Sequence, residues 1–269
     1  MARAEPAPAR GFYSEDRLLG GRVRLRQPVS GPRAAIDAVL LAAAVPAREG
    51  ERVLDLGTGA GAASLCLAAR VARVTLTGLE IQPAAATLAR GNADLNGVAD
   101  RFEVVVGDVA HPPADLRAGG FDHVMANPPH HAAGRATAPA DPALAAARIE
   151  ATAGAGLGDW IACGFRLVRN GGTVTIIHRA DRLDDLLHEL RGRRGGARGG
   201  IVVFPLWPRA GQAAKRVVVR ARKGGGAPLR LASGLVLHGE GGSYTEAAEA
   251  VLRHAAPLDL LATPQVPPT

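Results

Sequence analysis

The stretch with the most specific chemistry is Asn127-Pro128-Pro129-His130, which follows an apolar run. An Asn side chain and the next backbone carbonyl can together accept hydrogen bonds from both N–H groups of an amide or a base amine. Such a nitrogen is a poor nucleophile because its lone pair is delocalised, and holding both N–H groups favours tetrahedral character there. The prolines fix φ and keep the carbonyls presented, while the flat His130 ring can stack on the target group. The alternative is a strand end bounded by prolines.

A glycine-rich turn lies upstream, in Val53-Leu54-Asp55-Leu56-Gly57-Thr58-Gly59-Ala60-Gly61. This pattern is typical of a buried strand that enters a tight turn and then a helix. Gly57, Gly59 and Gly61 allow the backbone to turn sharply and to lie against a ligand. The turn therefore predicts a site for a nucleotide-like cofactor, and the alternative is a plain strand-to-helix turn.

The spacing alone does not separate a dinucleotide from S-adenosyl-L-methionine. With Ala62 the turn has the form Gly-x-Gly-x-x-Ala, and Glu80 lies about one βα unit downstream, where a dinucleotide site has its ribose acid. Asp55 favours S-adenosyl-L-methionine, because a carboxylate would repel a pyrophosphate but attract an ammonium and a sulfonium. Glu80 is expected to accept from the ribose hydroxyls, or else to be a solvated strand-end acid. Asp108 is expected to accept from an adenine amino group, or else to cap a helix beginning at Val109.

Strands and helices alternate regularly along the chain. Strands are predicted at 21–28, 53–56, 74–79, 102–106, 121–125, 173–177, 201–204, 216–220 and 228–238, and helices at 36–44, 62–70, 83–96, 143–151, 160–167, 183–190 and 245–254. This alternation predicts an α/β fold with a doubly wound, Rossmann-like sheet, mostly parallel with an antiparallel C-terminal strand. In such a sheet Asp55, Glu80, Asp108 and Asn127 would all follow the carboxyl ends of strands, where ligands bind.

The composition suits one sizeable α/β domain with appendages. The 269 residues carry a net charge of +7, and all but two of the 32 basic residues are arginine. This charge is compatible with a nucleic-acid partner or with a merely solvated surface. Cys66 and Cys163 are predicted to be buried free thiols. The His130-His131 pair has no nearby Cys or acid to complete a metal site, so no metal is expected. Without a long apolar run or a signal core, the chain is expected to be cytoplasmic and not bound to a membrane.

The chain is expected to divide into four parts. Residues 1–11 are expected to form a disordered tail, 12–46 an N-terminal strand and helix extension, 47–224 the central domain, and 225–269 a C-terminal strand and helix appendage. The oligomeric state is open, with a monomer favoured.

The order of these motifs resembles the class I S-adenosylmethionine-dependent methyltransferases of the amino-group type. The flanks resemble one branch, the valine-tRNA (adenine-N6) methyltransferase family, over roughly residues 12–260. The flanking segments that carry this resemblance are 25–28, 37–41, 177–183, 220–224 and 242–249. The resemblance implies methylation of adenine N6 in a tRNA anticodon loop, with RNA as the partner. His130 departs from the family, which usually has Tyr or Phe at this position.

Other functions stay open on the sequence. They are an N-methyltransferase acting on rRNA guanine or on a protein glutamine amide, and a non-catalytic RNA-binding relative. An NAD-linked oxidoreductase is disfavoured by Asp55. The residues expected to bind the cofactor are Asp55, Gly57, Gly59, Gly61, Glu80 and Asp108, and those expected to be catalytic are Asn127, Pro128, Pro129 and His130.

Overall fold

A computed structural model describes residues 13–29, 33, 36–129, 155–192 and 199–262. Its strands are β1 (Tyr13–Leu18), β2 (Val23–Pro28), β3 (Arg52–Leu56), β4 (Thr75–Glu80), β5 (Phe102–Val106), β6 (Phe121–Ala126), β7 (Val168–Arg179), β8 (Val202–Arg209), β9 (Arg216–Arg222), β10 (Arg230–Leu231) and β11 (Leu235–His238). Its helices are α1 (Ile36–Ala44), α2 (Ala62–Arg70), α3 (Pro83–Leu95), α4 (Leu157–Leu167), α5 (Leu183–Arg191) and α6 (Glu246–His254). His130 and the helix predicted over 143–151 lie outside the described residues.

The main sheet has the strand order β10-β8-β9-β7-β6-β3-β4-β5, and β11 pairs with β8 further along the same strand. The neighbouring strands β7, β6, β3, β4 and β5 are parallel to one another, whereas β9 runs antiparallel to both β7 and β8. From β3 the chain winds outward through β4 to β5 and then outward in the other direction through β6 to β7. The predicted doubly wound, mostly parallel sheet with an antiparallel strand is confirmed.

Helices cover both faces of this sheet, because its central strands are apolar on both sides. One core contains residues of α1, α2, α3 and α6, and the other contains residues of α4 and α5. Within β3, Val53 belongs to the first core, whereas Leu54 and Leu56 belong to the second. The two cysteines are free and buried, Cys66 in the first core and Cys163 in the second, as predicted. Burial raises the pKa of the Cys66 thiol to about 12 and that of Cys163 to about 11.

The antiparallel hairpin of β1 and β2 docks on α3 through two side-chain amides. Asn92 accepts from Arg26 N–H and donates to Arg26 C=O, each at 2.9 Å. One helical turn later, Asn96 makes the same pair of bonds with the backbone of Arg24, at 2.9 and 2.7 Å. The two amides therefore satisfy the strand edge that β1 leaves open. Asn92 also donates to the carbonyl of Ala60, 2.9 Å away, so it ties the hairpin to the glycine-rich turn.

The C-terminal region extends the far edge of the sheet. The single strand predicted over 228–238 is wrong, because two short strands, β10 and β11, occupy this range. Between them Gly234 has φ +85° and approaches the carbonyl of Pro205 too closely for a Cβ, which interrupts the strand. Thr245 caps α6 by accepting from the N–H of Ala248 at 3.2 Å, as predicted. No helix in the described part of the chain is long and apolar enough to span a membrane.

Candidate active site

Four strands bring their carboxyl ends to one edge of the sheet, here called the carboxyl edge. In the register, Leu56 at the end of β3 pairs with Leu79 of β4 on one side and with Ala126 of β6 on the other. The next residues, Gly57, Glu80 and Asn127, therefore lie side by side at this edge. Because neighbouring strands are about 4.8 Å apart, Asn127 is one strand spacing from the start of the glycine-rich turn.

The glycine-rich turn, residues 57–61, has a backbone that requires glycine at three positions. Gly57, Gly59 and Gly61 have φ of +63°, +56° and +87°, in the region that residues with a Cβ rarely adopt. The N–H groups of Gly57 and Thr58 both donate to the carbonyl of Leu79, at 2.7 and 3.1 Å. The turn is thus fastened to the end of β4, and the N-terminus of α2 begins directly after it.

The surroundings of the three glycines differ. A Cβ on Gly57 would overlap the indole ring of Trp160, and one on Gly61 would lie 3.0 Å from the ring of Phe102. A Cβ on Gly59 would meet no atom within 4 Å. The middle of the turn therefore faces open space where a ligand can approach the backbone, while its two ends are packed against aromatic rings.

Asp55 lies inside the turn rather than on its surface. Only 3% of the residue is exposed, and one carboxylate oxygen accepts from the hydroxyls of Thr58, at 2.7 Å, and Ser64, at 2.8 Å. Burial raises the pKa of Asp55 to about 6, against the opposing effect of these hydrogen bonds. The carboxylate joins the end of β3 to the turn and to α2. Its interaction with the charges of a cofactor stays a prediction.

Glu80 bridges the glycine-rich turn and the loop after β4. One carboxylate oxygen accepts from Gly59 N–H at 2.8 Å, and the other accepts from Gln82 N–H at 2.9 Å. Each carboxylate oxygen can accept a second hydrogen bond. The side chain is therefore held in one orientation beside the open part of the turn, with acceptor capacity left for a pair of hydroxyls.

Asp108 lies two residues beyond Val106, which pairs with Glu80. Its carboxylate accepts from Ala110 N–H at 2.9 Å, which is a local turn. The alternative role as a helix cap is wrong, because residues 109–120 contain no helix. The expected contact with an adenine amino group stays a prediction.

The Asn127-Pro128-Pro129 segment leaves β6 on the other side of the glycine-rich turn. Asn127 and Pro129 are exposed and Pro128 is buried. The buried ring anchors the segment to the domain, while the Asn127 amide is available to a substrate. The stacking role predicted for His130 concerns a residue outside the described part of the chain.

Three residues near the turn were not assigned to the site from sequence. Thr58 and Ser64 hold Asp55, and the spacing Asp-x-x-Thr around the turn was a signal for the first of them. Trp160 lies a hundred residues away in the sequence and reaches Gly57 only because α4 packs on that face of the sheet. In the described ranges, no group of three or more His, Cys, Asp or Glu side chains could hold a metal ion.

Comparisons with known proteins agree with this geometry. Residues 33–153 match the family model of the methyltransferase small domain. The chain is 30% identical over 217 residues to the tRNA1(Val) (adenine(37)-N6)-methyltransferase of Aeromonas salmonicida, a match that covers 78% of this chain and 84% of that relative. It is 38% identical to the protein of the same name from Yersinia pestis over 97 residues, which cover 36% of this chain and 39% of that relative.

Solved structures show the same fold. A predicted O-methyltransferase from Agrobacterium tumefaciens superposes with a TM-score of 0.68 at 28% identity, covering 82% of this chain and 98% of that one. An S-adenosylmethionine-dependent O-methyltransferase from Thermotoga maritima gives a TM-score of 0.50 at 15% identity, covering 72% and 67% of the two chains.

The fold, the site and these matches define a class I methyltransferase whose cofactor is S-adenosyl-L-methionine. The residues present fit this cofactor, since the backbone at Gly59 is open and the fixed carboxylate of Glu80 beside it keeps acceptor positions free. That Glu80 binds the ribose stays a prediction. Within this class, the chain belongs to the family of the tRNA1(Val) (adenine(37)-N6)-methyltransferases.

Proposed function

We propose that the protein methylates an exocyclic amino group of a base in RNA, namely N6 of the adenine directly 3′ of the anticodon in a valine tRNA. The observation that carries this proposal is the exposed Asn127 amide, one strand spacing from the glycine-rich turn and followed by two prolines. The printed name of the Aeromonas salmonicida relative supports the choice of adenine N6 and of tRNA. A tRNA substrate also agrees with the expectation of a cytoplasmic enzyme.

In this proposal the chain holds and orients the amine. The side-chain oxygen of Asn127 accepts from one N–H of the amine and the backbone carbonyl of Pro128 accepts from the other. With both N–H groups held, the nitrogen lone pair points away from the ring plane and toward the glycine-rich turn. S-adenosyl-L-methionine supplies an electrophilic methyl group at its sulfonium. His130 covers one face of the base, and an anticodon loop exposes that base at low cost because it is single-stranded.

The domain organisation is part of the same proposal. We take residues 47–224 as the methyltransferase domain, with 12–46 and 225–269 as appendages and 1–11 as a tail. The amides of Asn92 and Asn96 join the N-terminal appendage to α3, and the pairing of β10 and β11 with β8 joins the C-terminal appendage to the sheet. The two appendages also contact each other, since Leu258 N–H donates to the carbonyl of Ala43 at 2.8 Å.

Nucleoside mass spectrometry tests the proposed function. The protein and S-adenosyl-L-methionine are incubated with an unmodified valine-tRNA transcript and with a matched transcript that has guanine in place of the target adenine. We expect N6-methyladenosine in the first transcript and no methylated product in the second. A 2′-O-methylnucleoside, or a methylguanosine in either transcript, would contradict the choice of atom. Methylation of glutamine in a protein with no product in RNA would contradict the substrate class.

A further inference from the structure

On one side of the sheet, the strands extend beyond the level of the Asn127-Pro128-Pro129 segment. Ile176 of β7 pairs with Ala126, but β7 continues for three more residues, to Arg179. Arg179 is level with Arg216 of β9, which is level with Leu206 of β8. The strand β8 then continues for three residues beyond that level, to Arg209. At about 4.8 Å between strands and about 3.3 Å per residue, Arg209 lies roughly 20 Å from Asn127 and above it.

The raised side carries a small group of residues, here called the C-terminal edge surface: Arg209, Lys215, His238 and Tyr244. Arg209 pairs in register with His238 of β11, and its guanidinium lies 3.7 Å from the position of a Cβ on Gly242. The rings of His238 and Tyr244 are stacked, with centroids 4.8 Å apart and an angle of 22° between their planes. Lys215 lies beside the end of β7, because its carbonyl accepts from Ala180 N–H at 3.1 Å.

The cations of this surface have no acid partner in the part of the chain that the structure describes. Arg209 and Lys215 are exposed, and neither side chain has an ion pair with any described residue. The neighbouring arginines do have acid partners, since Arg179 pairs with Asp181 and Arg216 pairs with Asp37 at 3.0 Å. The acid in the turn after β11 is Glu240, which is exposed. Two cations that are unpaired among the described residues therefore lie between the carboxyl edge and a stacked aromatic pair.

The arginines of the N-terminal hairpin already have partners within the protein. Arg24 and Arg26 both pair with Glu15, at 2.8 and 3.5 Å, and the guanidinium of Arg22 donates to the carbonyl of Arg253 at 2.6 Å. These side chains would have to give up existing partners to bind phosphates. The free cations on the raised side make it the better site for an anionic chain.

We propose that the C-terminal edge surface binds the RNA strand that flanks the target base, with phosphates on Arg209 and Lys215 and a base stacked on the His238–Tyr244 pair. This inference rests on the proposed function for the identity of the RNA. Free cations beside stacked aromatic rings are what single-stranded RNA requires, because phosphates need charge and every base has a face that can stack. The distance of about 20 Å from Asn127 is several nucleotides along the strand, so the surface anchors the loop while the Asn127-Pro128-Pro129 segment holds one base.

The experiment measures binding of a fluorescently labelled valine-tRNA transcript by anisotropy at several salt concentrations. The test variant is Arg209→Ala with Lys215→Ala. The matched control is Arg48→Ala with Arg117→Ala, which removes two exposed arginines at the opposite edge of the sheet. Each phosphate contact contributes about 0.7–0.9 to the slope of log K against the logarithm of the salt concentration. At 0.15 M salt this corresponds to roughly 4- to 5-fold in affinity for each contact. We expect the test variant to bind roughly 15- to 30-fold more weakly and with a salt slope smaller by about 1.4–1.8.

Two further variants test the sign of the charge and the stacking. Glu240→Gln removes an exposed negative charge and is expected to strengthen binding several-fold. His238→Ala is expected to weaken binding at least about fivefold, and His238→Phe to restore it, because a base–aromatic stack needs only a flat ring. S-adenosyl-L-methionine affinity, measured in parallel, reports that each variant keeps its fold.

The inference is overturned if the Arg209 and Lys215 double variant binds tRNA with the affinity and salt slope of the control. That result leaves the proposed function standing, provided that the wild-type protein forms N6-methyladenosine. If the wild type forms no methylated nucleoside, the proposed function fails, and the anisotropy comparison still decides whether this surface binds RNA.

Discussion

The orientation of Glu80 leads to a quantitative prediction for cofactor binding. Its two carboxylate oxygens accept from the N–H groups of Gly59 and Gln82, which leaves one further acceptor position on each oxygen. In Glu80→Gln one oxygen becomes an NH₂ group of almost the same shape. That NH₂ must face one of the two backbone N–H donors, and it removes one acceptor from the ribose. A hydrogen bond to a charged group contributes about 1.5–3 kcal/mol, so the Kd for S-adenosyl-L-methionine should rise roughly 10- to 150-fold.

Isothermal titration calorimetry with S-adenosyl-L-methionine measures this effect. Glu103→Gln is the matched control, because Glu103 is an exposed acid on the neighbouring strand β5, away from the turn. The control should bind within about twofold of the wild type. Thermal unfolding of both variants shows whether they are folded at the temperature of the titration. A folded Glu80→Gln protein with the wild-type Kd would refute the assignment of this carboxylate to the cofactor.

Three further predictions concern the glycine-rich turn. Because burial raises the pKa of Asp55 to about 6, the folded protein keeps a proton there that the unfolded chain loses near pH 4. The free energy of unfolding should therefore fall by up to about 3 kcal/mol from pH 4 to 7. Urea titrations should show this fall for the wild type and not for Asp55→Asn. Gly59→Ala should weaken cofactor binding more than tenfold and cost about 1–2 kcal/mol of stability, because its φ is left-handed but no atom crowds the new methyl group. Gly57→Ala, whose methyl group would also overlap an aromatic ring, should lower the melting temperature much more. Asn92→Asp should raise the cofactor Kd, but Asn96→Asp, which loosens the hairpin and the end of α3 without a bond to the turn, should not. Equal effects would contradict the coupling of hairpin and turn.

The fold could be predicted from sequence where the pattern is local. The strands β3 to β6 and the helices α1 to α3 lie within a few residues of their predicted positions. Apolar runs define these elements, and glycines or prolines mark their ends. The strand β1 was not predicted, because Tyr13–Leu18 is mostly polar and its place depends on pairing with β2. The strand β7 begins at Val168 rather than at Thr173, because Val168 pairs with Phe121 of β6 before an irregularity shifts the register to the pair of Thr173 and His123.

The site was predictable as a set of strand ends but not as a set of contacts. Glu80 and the three glycines could be identified because their role follows from position at a turn. Asp55 points inward because the hydroxyls of Thr58 and Ser64 donate to it. The periodicity of the sequence does not show that these hydroxyls bind Asp55. The contact of Trp160 with the turn is non-local and follows only from the packing of α4 on the sheet.

The proposed role of Asn127 is tested most directly by the rate at which Asn127→Ala forms N6-methyladenosine in a valine-tRNA transcript, compared with the wild type at saturating S-adenosyl-L-methionine. Asn127 is exposed at the end of β6 and has no hydrogen-bond partner among the described residues, so its replacement should leave the fold and the cofactor Kd nearly unchanged. Loss of one preorganised polar group at a reacting centre lowers a rate by about 10²-fold or more. We expect that loss of rate for Asn127→Ala, together with normal cofactor binding. Full methylation by this variant, or no N6-methyladenosine from the wild type, would contradict it.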